Sequence, residues 1–263
     1  MKEMIYTIIN IPFRTNFAMK DGKWEIFISN NSVSSCFSIQ LLTRDFNEMH
    51  ALEYFTVSSS VNHIIRCGND IMLSDITWEN TVILPLYRQI NLPSFLCQCF
   101  YSHAVQKRIL YLHSSLLAYQ KRGLMFLGPS GIGKTTQAEL WNKYRDALII
   151  NGDVVFVQET EDAFLGWGTP WHGSSPYCEN TSVPVSALIV LKQAEENSIR
   201  ELTGFEKVTA VSESVFYPRW LENGMELCLE TLDHLLSRLP VYELSCRPDE
   251  DAVRLVEETV FGK

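Results

Sequence analysis

Apolar residues recur along the chain in two rhythms, and the change falls near position 109. Up to about residue 85 they come in short bursts rich in β-branched and aromatic side chains. Ile5-Tyr6-Thr7-Ile8-Ile9, Trp24-Glu25-Ile26-Phe27-Ile28 and Cys36-Phe37-Ser38-Ile39 are three of them, separated by Asp21-Gly22 and Asn30-Asn31. Bursts of that length bounded by turn-forming pairs predict strands, so the front of the chain reads as a small β-rich domain. Pro93 opens a helical stretch running to about Arg108, with Phe95, Leu96, Phe100 and Val105 as its apolar positions and basic residues in its last turn. From Ile109 the apolar runs become continuous. Ile109-Leu110-Tyr111-Leu112 and Gly123-Leu124-Met125-Phe126-Leu127 suit strands buried on both faces. Further strands are expected at Ala147–Ile150, Val183–Leu191 and Leu239–Leu244, with Glu195-Glu196-Asn197 as a hairpin turn. Helices are expected at Thr135–Tyr144 and Pro248–Val260, the second with Asp249, Glu250 and Asp251 in its first turn, where acids suit the helix dipole. The expectation is an α/β domain over 101–263, preceded by a β-rich domain over 1–100.

Composition narrows the classes. Of 263 residues, 46% are hydrophobic and 20% charged, enough apolar material for one large or two modest domains. Collagen-like, coiled-coil and disordered chains are excluded on the same ground. Thirty-one acidic against 22 basic side chains give a net charge of −9, which argues against a nucleic-acid partner. No apolar run reaches the ~20 residues of a membrane span. Met1–Pro12 is interrupted by Lys2, Glu3 and Asn10, and reads as a first strand instead of a secretory signal. Seven scattered cysteines without such a signal point to a reduced, cytoplasmic chain, with Cys97 and Cys99 as buried thiols on a helix. Asn30-Asn31-Ser32 and Asn180-Thr181-Ser182 match a glycosylation pattern that has no meaning without a secretory route.

The chemistry concentrates in one stretch. Gly128-Pro129-Ser130-Gly131-Ile132-Gly133-Lys134-Thr135 satisfies the G-x-x-x-x-G-K-[ST] pattern, with an apolar strand before it and a helix after it. Glycines let successive backbone N–H groups turn inward around phosphate oxygens, and the following helix adds the positive end of its dipole. Gly128 through Thr135, with Thr136 beside them, therefore form the expected nucleotide cradle. Lys134 would reach the phosphates, and Thr135 would offer its hydroxyl to Mg²⁺. Asp153 follows Lys134 after 19 positions, at the end of the next strand. A carboxylate so soon after the cradle serves as metal ligand, as base, or as both.

His113-Ser114-Ser115-Leu116, the loop at 128–135 and Ile149-Ile150-Asn151-Gly152-Asp153 together resemble the kinase domain of HPr kinase/phosphorylase. That family carries a His-Gly-Ser element on the strand ahead of its loop and an Asp-Asp pair one helix later. It shares its fold with the nucleotide-binding part of ATP-dependent phosphoenolpyruvate carboxykinase. The resemblance covers residues 105–190. Gly152 takes the first place of the acid pair, so only Asp153 remains, and the HPr-binding signature is absent. The chain is most similar to HPr-kinase-like proteins encoded beside ribosomal-peptide modification genes, among them lasso-peptide kinases and SynChlorMet-type cassette proteins. These share the lone Gly-Asp, a segment like Gly168-Thr169-Pro170 and an ending like Cys246-Arg247-Pro248-Asp249. The resemblance implies a mixed-sheet P-loop domain that uses ATP and Mg²⁺ to phosphorylate a serine-type hydroxyl. It also implies an active-site role for His113, orienting either Asp153 or the acceptor, and a phosphate-clamping role for Arg247.

Other residues complete the expected site. Gly166 to Ser175, with Trp167, Trp171 and His172, reads as a loop lining the acceptor side. Glu179 is a candidate second metal carboxylate. Arg200 and Arg219 are alternative clamps, and Trp171 or Tyr177 could stack on a base. The leading expectation is an ATP-dependent kinase acting on a serine or threonine of a peptide or protein, docked with the help of the front domain. A small-molecule kinase and a nucleotide-binding regulator are the alternatives, and a homo-oligomer is one of the assemblies left open.

Overall fold

In a computed structural model the chain is described over residues 3–30, 35–42, 60–68, 70–85 and 91–262. It divides into two compact units, Met1–His103 and Ala104–Lys263. The predicted turn at Asn31 and the glycosylation pattern at Asn31-Ser32 lie outside the described residues.

The first unit holds six strands: β1 (Met4–Ile8), β2 (Ile11–Thr15), β3 (Phe37–Leu41), β4 (His63–Cys67), β5 (Asp70–Ser74) and β6 (Asn80–Leu84), followed by α1 (Leu92–Ala104). They form one sheet in the order β1-β2-β3-β6-β5-β4, with β2–β3 and β3–β6 parallel and the other pairs antiparallel. Aromatic side chains fill it: Tyr6 stacks on Phe13 and Phe13 on Phe37, with centroids 5.5 and 5.3 Å apart. Cys97 and Cys99 are buried thiols on α1, and the Cys99 sulfur lies 3.3 Å from that of Met72. The strand expected at Trp24–Ile28 is instead a 3-10 helix over Gly22–Phe27. Asp21 caps it by accepting from the Lys23 N–H, and Trp24 and Phe27 are both buried. A three-residue period puts those two aromatics on one face, which a strand would not do.

The second unit contains β7 (Ile109–Tyr119), β8 (Arg122–Leu127), α2 (Lys134–Arg145), β9 (Leu148–Asn151), β10 (Val154–Glu159), β11 (Phe164–Trp167), β12 (Ser182–Gln193), β13 (Ser198–Glu201), α3 (Gly204–Ser212), α4 (Gly224–Arg238), β14 (Val241–Cys246) and α5 (Glu250–Phe261). Its mixed sheet runs β11-β10-β7-β8-β12-β14-β13, and β11 also pairs with β12. β8, β12 and β14 are parallel, and the remaining pairs are antiparallel. α2 and α5 cover one face: Trp141 from α2 and Val253 and Val256 from α5 pack with Leu124, Phe126, Ala187 and Ile189 of the strands. Glu257 ties the layers, accepting from the Tyr119 hydroxyl at 2.7 Å and the Arg145 guanidinium at 2.6 Å.

Glu195-Glu196-Asn197 does not close a hairpin. β13 pairs with β14, and β14 lies between β12 and β13. Asn197 instead accepts from the Arg247 N–H at 2.8 Å and donates to Asp249 at 2.8 Å, while Asp249 caps α5. Among the described residues no helix is long and apolar enough to cross a membrane.

Phe126, on β8 just before the glycine loop, is fully buried in the core that the strands share with α2 and α5. Phe126→Ala should cost about 3–5 kcal/mol of stability, as large-to-small core changes do. Urea unfolding followed by circular dichroism checks this, and a loss below about 1 kcal/mol would contradict the packing.

Candidate functional site

The site is built where β8 hands over to α2. The chain leaves β8 at Gly128 and turns through Gly131 and Gly133, whose φ angles of 78° and 114° L side chains rarely adopt. Pro129, Ser130 and Gly131 form the exposed tip. Gly133 sits at the N-cap of α2, so no side chain caps the first amides of the helix. Uncapped amides and the helix dipole together favour an anion at that end. Lys134 is only 6% exposed, and its ammonium donates to the carbonyls of Gly128 at 3.0 Å and Pro129 at 3.2 Å. Burial lowers its pKa, and the Asp153 charge partly opposes that shift. Buried Ser115 donates to the Lys134 carbonyl at 3.0 Å, which pins the start of α2 to β7.

Asp153 lies in the break between β9 and β10, two strands that pair with successive parts of β7. Its Oδ1 accepts from His113 Nε2 at 2.9 Å. This hydrogen bond is the largest influence on the Asp153 pKa, which lies below the usual carboxylate value. Burial opposes the shift, and the charges of His113, Lys134 and His172 add to it. Thr135 reaches the same break, its hydroxyl donating to the Gly152 carbonyl at 3.0 Å. The loop thus brings a hydroxyl, an ammonium and an ionised carboxylate to one end of α2.

Asn151, fully buried, shapes the break. Its side-chain oxygen accepts from the N–H groups of Asp153 at 2.9 Å and Val154 at 3.0 Å. Its amide donates to the carbonyls of Thr169 at 3.1 Å and Trp171 at 3.0 Å. One carboxamide therefore fastens the Asp153 backbone to the 166–175 segment. In that segment Gly173 adopts a φ of 58° directly against Asp153, where a Cβ would collide with the carboxylate. His172 donates through Nδ1 to the Ser175 carbonyl, which fixes the ring's tautomer and direction. The sequence shows Asn151 only as part of the turn before the acid; its hold on the Thr169 and Trp171 carbonyls depends on a segment brought beside it by the fold.

The other expected residues are scattered. Thr136 and Arg247 line a cavity of about 370 Å³ on the flank of the loop, together with Ile132, Leu191, Cys246 and Gln137, the last not among the expected residues. The Arg247 guanidinium pairs with Asp249 at 3.1 Å. Arg200 is exposed and engaged by Glu206 and Glu243, and Arg219 lies exposed in a turn. The Glu179 side chain is exposed while its backbone pairs with Ile150. Among the described residues no three His, Cys, Asp or Glu side chains gather to hold a metal. Trp171 is buried against Phe156, and Tyr177 donates to Glu139.

A strand, a glycine loop and an uncapped helix beside a His–Asp pair, in a mixed sheet, define an α/β protein. A family model described as SynChlorMet cassette protein ScmC matches residues 87–247, more than half of the chain. The chain belongs to that family. Among solved structures it is similar to the Hpr(Ser) kinase/phosphatase from Coxiella burnetii, at 12% identity and a TM-score of 0.35, over 58% of this chain and 88% of that one. A search of curated proteins gave no match.

Removing the imidazole should release Asp153. In His113→Gln the carboxyl pKa should rise towards its ordinary value, and carboxyl NMR titration reads this directly; an unmoved titration would mean that His113 is not the cause. A depressed folded-state pKa stabilises the fold above the unfolded value, and the effect is lost as pH falls through the folded one. The variant should therefore lose stability near neutral pH, and its difference from wild type should close in acid.

Proposed function

We propose that the chain is an ATP-dependent kinase that transfers a γ-phosphoryl group to a serine or threonine hydroxyl of a peptide or protein. The observation that carries this reading is the meeting of Lys134, Thr135 and ionised Asp153 at the uncapped N-terminus of α2. Phosphoryl transfer is catalysed almost wholly by positioning and charge stabilisation, and these groups supply both. The residues fit a magnesium nucleotide. Mg²⁺ keeps several waters and phosphate oxygens among its six ligands, so one hydroxyl and one carboxylate suffice from the protein. Thr135 and Asp153 would hold it, and it would neutralise charge on the phosphates.

The loop amides bind the phosphates and Lys134 leaves its loop carbonyls to meet them. The acceptor oxygen attacks the γ-phosphorus, the bond from that phosphorus to the β,γ-bridging oxygen breaks, and ADP departs. The acceptor's proton passes to Asp153, whose orientation His113 fixes through Oδ1. A low pKa makes Asp153 a weak base and a good ligand, and a loose transition state asks little of the base. His172, held by Ser175 on the same side, faces the acceptor. The resemblance to kinases encoded beside ribosomal-peptide modification genes supports a peptide acceptor.

Lys134→Ala should weaken MgATP binding and abolish transfer while leaving the fold intact, and calorimetry showing unchanged affinity would defeat the reading. Thr135→Val should blunt the magnesium dependence of binding. Asp153→Asn should keep nucleotide and lose turnover by at least roughly 10²-fold. Labelled ATP offered with peptides and with free metabolites tests the acceptor, and efficient labelling of a metabolite alone would overturn the peptide assignment.

A further inference from the structure

The two sides of α2 differ. Thr135 faces the Gly152–Asp153 break. Gln137 stands two residues on, about 200° round the helix and so on the opposite side. There the cavity of about 370 Å³ opens between the loop at Gly131–Gly133, the end of β12 at Leu191 and the chain leaving β14 at Cys246 and Arg247. Its size suits a small aromatic ligand. A phosphate chain crossing the helix N-terminus with its terminal group at Asp153 directs its other end into this cavity.

Gln137 is 3% exposed. Its Nε2 donates to the Cys246 sulfur at 3.2 Å, and its Oε1 is buried with no hydrogen-bond partner. Burial pushes the Cys246 thiol up to about 11, so the sulfur beside Gln137 is a neutral thiol. A buried carbonyl oxygen without a donor is costly, and a ligand that brings a donor relieves that cost. Ile132 and Leu191 supply apolar surface for the faces of a flat ring. Resting on the nucleotide reading above, we propose that Gln137 reads the base, its Oε1 accepting from the exocyclic amine of an adenine seated in this cavity. Glutamine carboxamides match the amine-bearing edge of adenine in other settings. A 6-oxo purine presents an acceptor at that place and leaves two oxygens facing each other, so the site discriminates against it.

The test is calorimetric titration of the whole chain with ATP, inosine triphosphate and inorganic tripolyphosphate, each with Mg²⁺. Wild type should bind ATP about 10–100-fold more tightly than inosine triphosphate, the range that one unmade buried hydrogen bond commands. In Gln137→Met the two nucleotides should come together, while tripolyphosphate, which has no base, reports that the cradle is still folded. Equal affinity for both nucleotides in wild type, or a preference that survives in Gln137→Met, would overturn the assignment while leaving the cradle intact. A preference for inosine triphosphate would mean that the carboxamide presents Nε2, and would overturn it too. Binding of none of the three would remove the nucleotide reading and this inference together.

Discussion

The site depends on one constraint of the sheet: β7 is longer than either partner on its outer side. Its first half pairs with β10 and its second half with β9, so the chain running from β9 to β10 must break beside the middle of β7. Asp153 sits in that break, and His113 is directly across from Val154 in the ladder. A continuous strand would alternate its side chains between faces and hold the acid in the ladder. The interruption frees the Gly152 carbonyl for Thr135, and Asn151 meets the amides that the ladder leaves unbonded. Backbone groups at a break need partners as surely as those in a strand. A single buried carboxamide provides them.

Electrostatics follow from the same crowding. Lys134 and Asp153 influence each other without an ion pair between them: burial lowers the pKa of one and the histidine lowers that of the other. The ammonium is occupied by loop carbonyls, which cost little to leave when a stronger anion arrives. A tight lysine–aspartate pair would have to be broken first, and a buried pair yields only at considerable cost. Loop and acid are close enough to cooperate and remain available to a third party.

The glycine loop, its flanking strand and helix, and the place of Asp153 after the next strand were legible because each depends on local chemistry: a glycine pattern, an apolar run, an acid one helix later; His113 was reached only through the resemblance. Strand direction was not legible: the apolar run at Ile109–Leu112 belongs to β7, which pairs antiparallel with β8, β9 and β10, while parallel β14 carries Tyr242, Glu243 and Ser245 only half-buried. What was hidden depends on distant partners. The β1–β2 and β7–β8 hairpins turn on Ile9-Asn10 and Gln120-Lys121, all with positive φ, and neither pair is the glycine-bearing kind that announces such a turn. The insertion of β14 between β12 and β13 cannot be read from Glu195–Asn197, where charge and turn chemistry look like any hairpin. Helix α4 is different, because its buried Cys228, Thr231, Leu232 and Leu235 keep helical spacing and the pattern was there to be found. The roles of Asn151 and Gln137 escaped because a buried amide looks in sequence like an exposed one.

The placement of β14 also orders events in time. β13 ends at Glu201 and has β14 as its neighbour, yet β14 begins only at Val241, with α3 and α4 in between. At ~5–20 residues per second of synthesis, β13 waits seconds on the ribosome before its partner emerges. By then the strand, loop and helix of the cradle and the break at Asp153 have all left the tunnel. The wall at Cys246 and Arg247 is made last, when β14 slots in beside β12. A nascent chain at that stage has its glycine loop, Lys134 and Asp153 in hand before the flank that Cys246 and Arg247 supply exists at all.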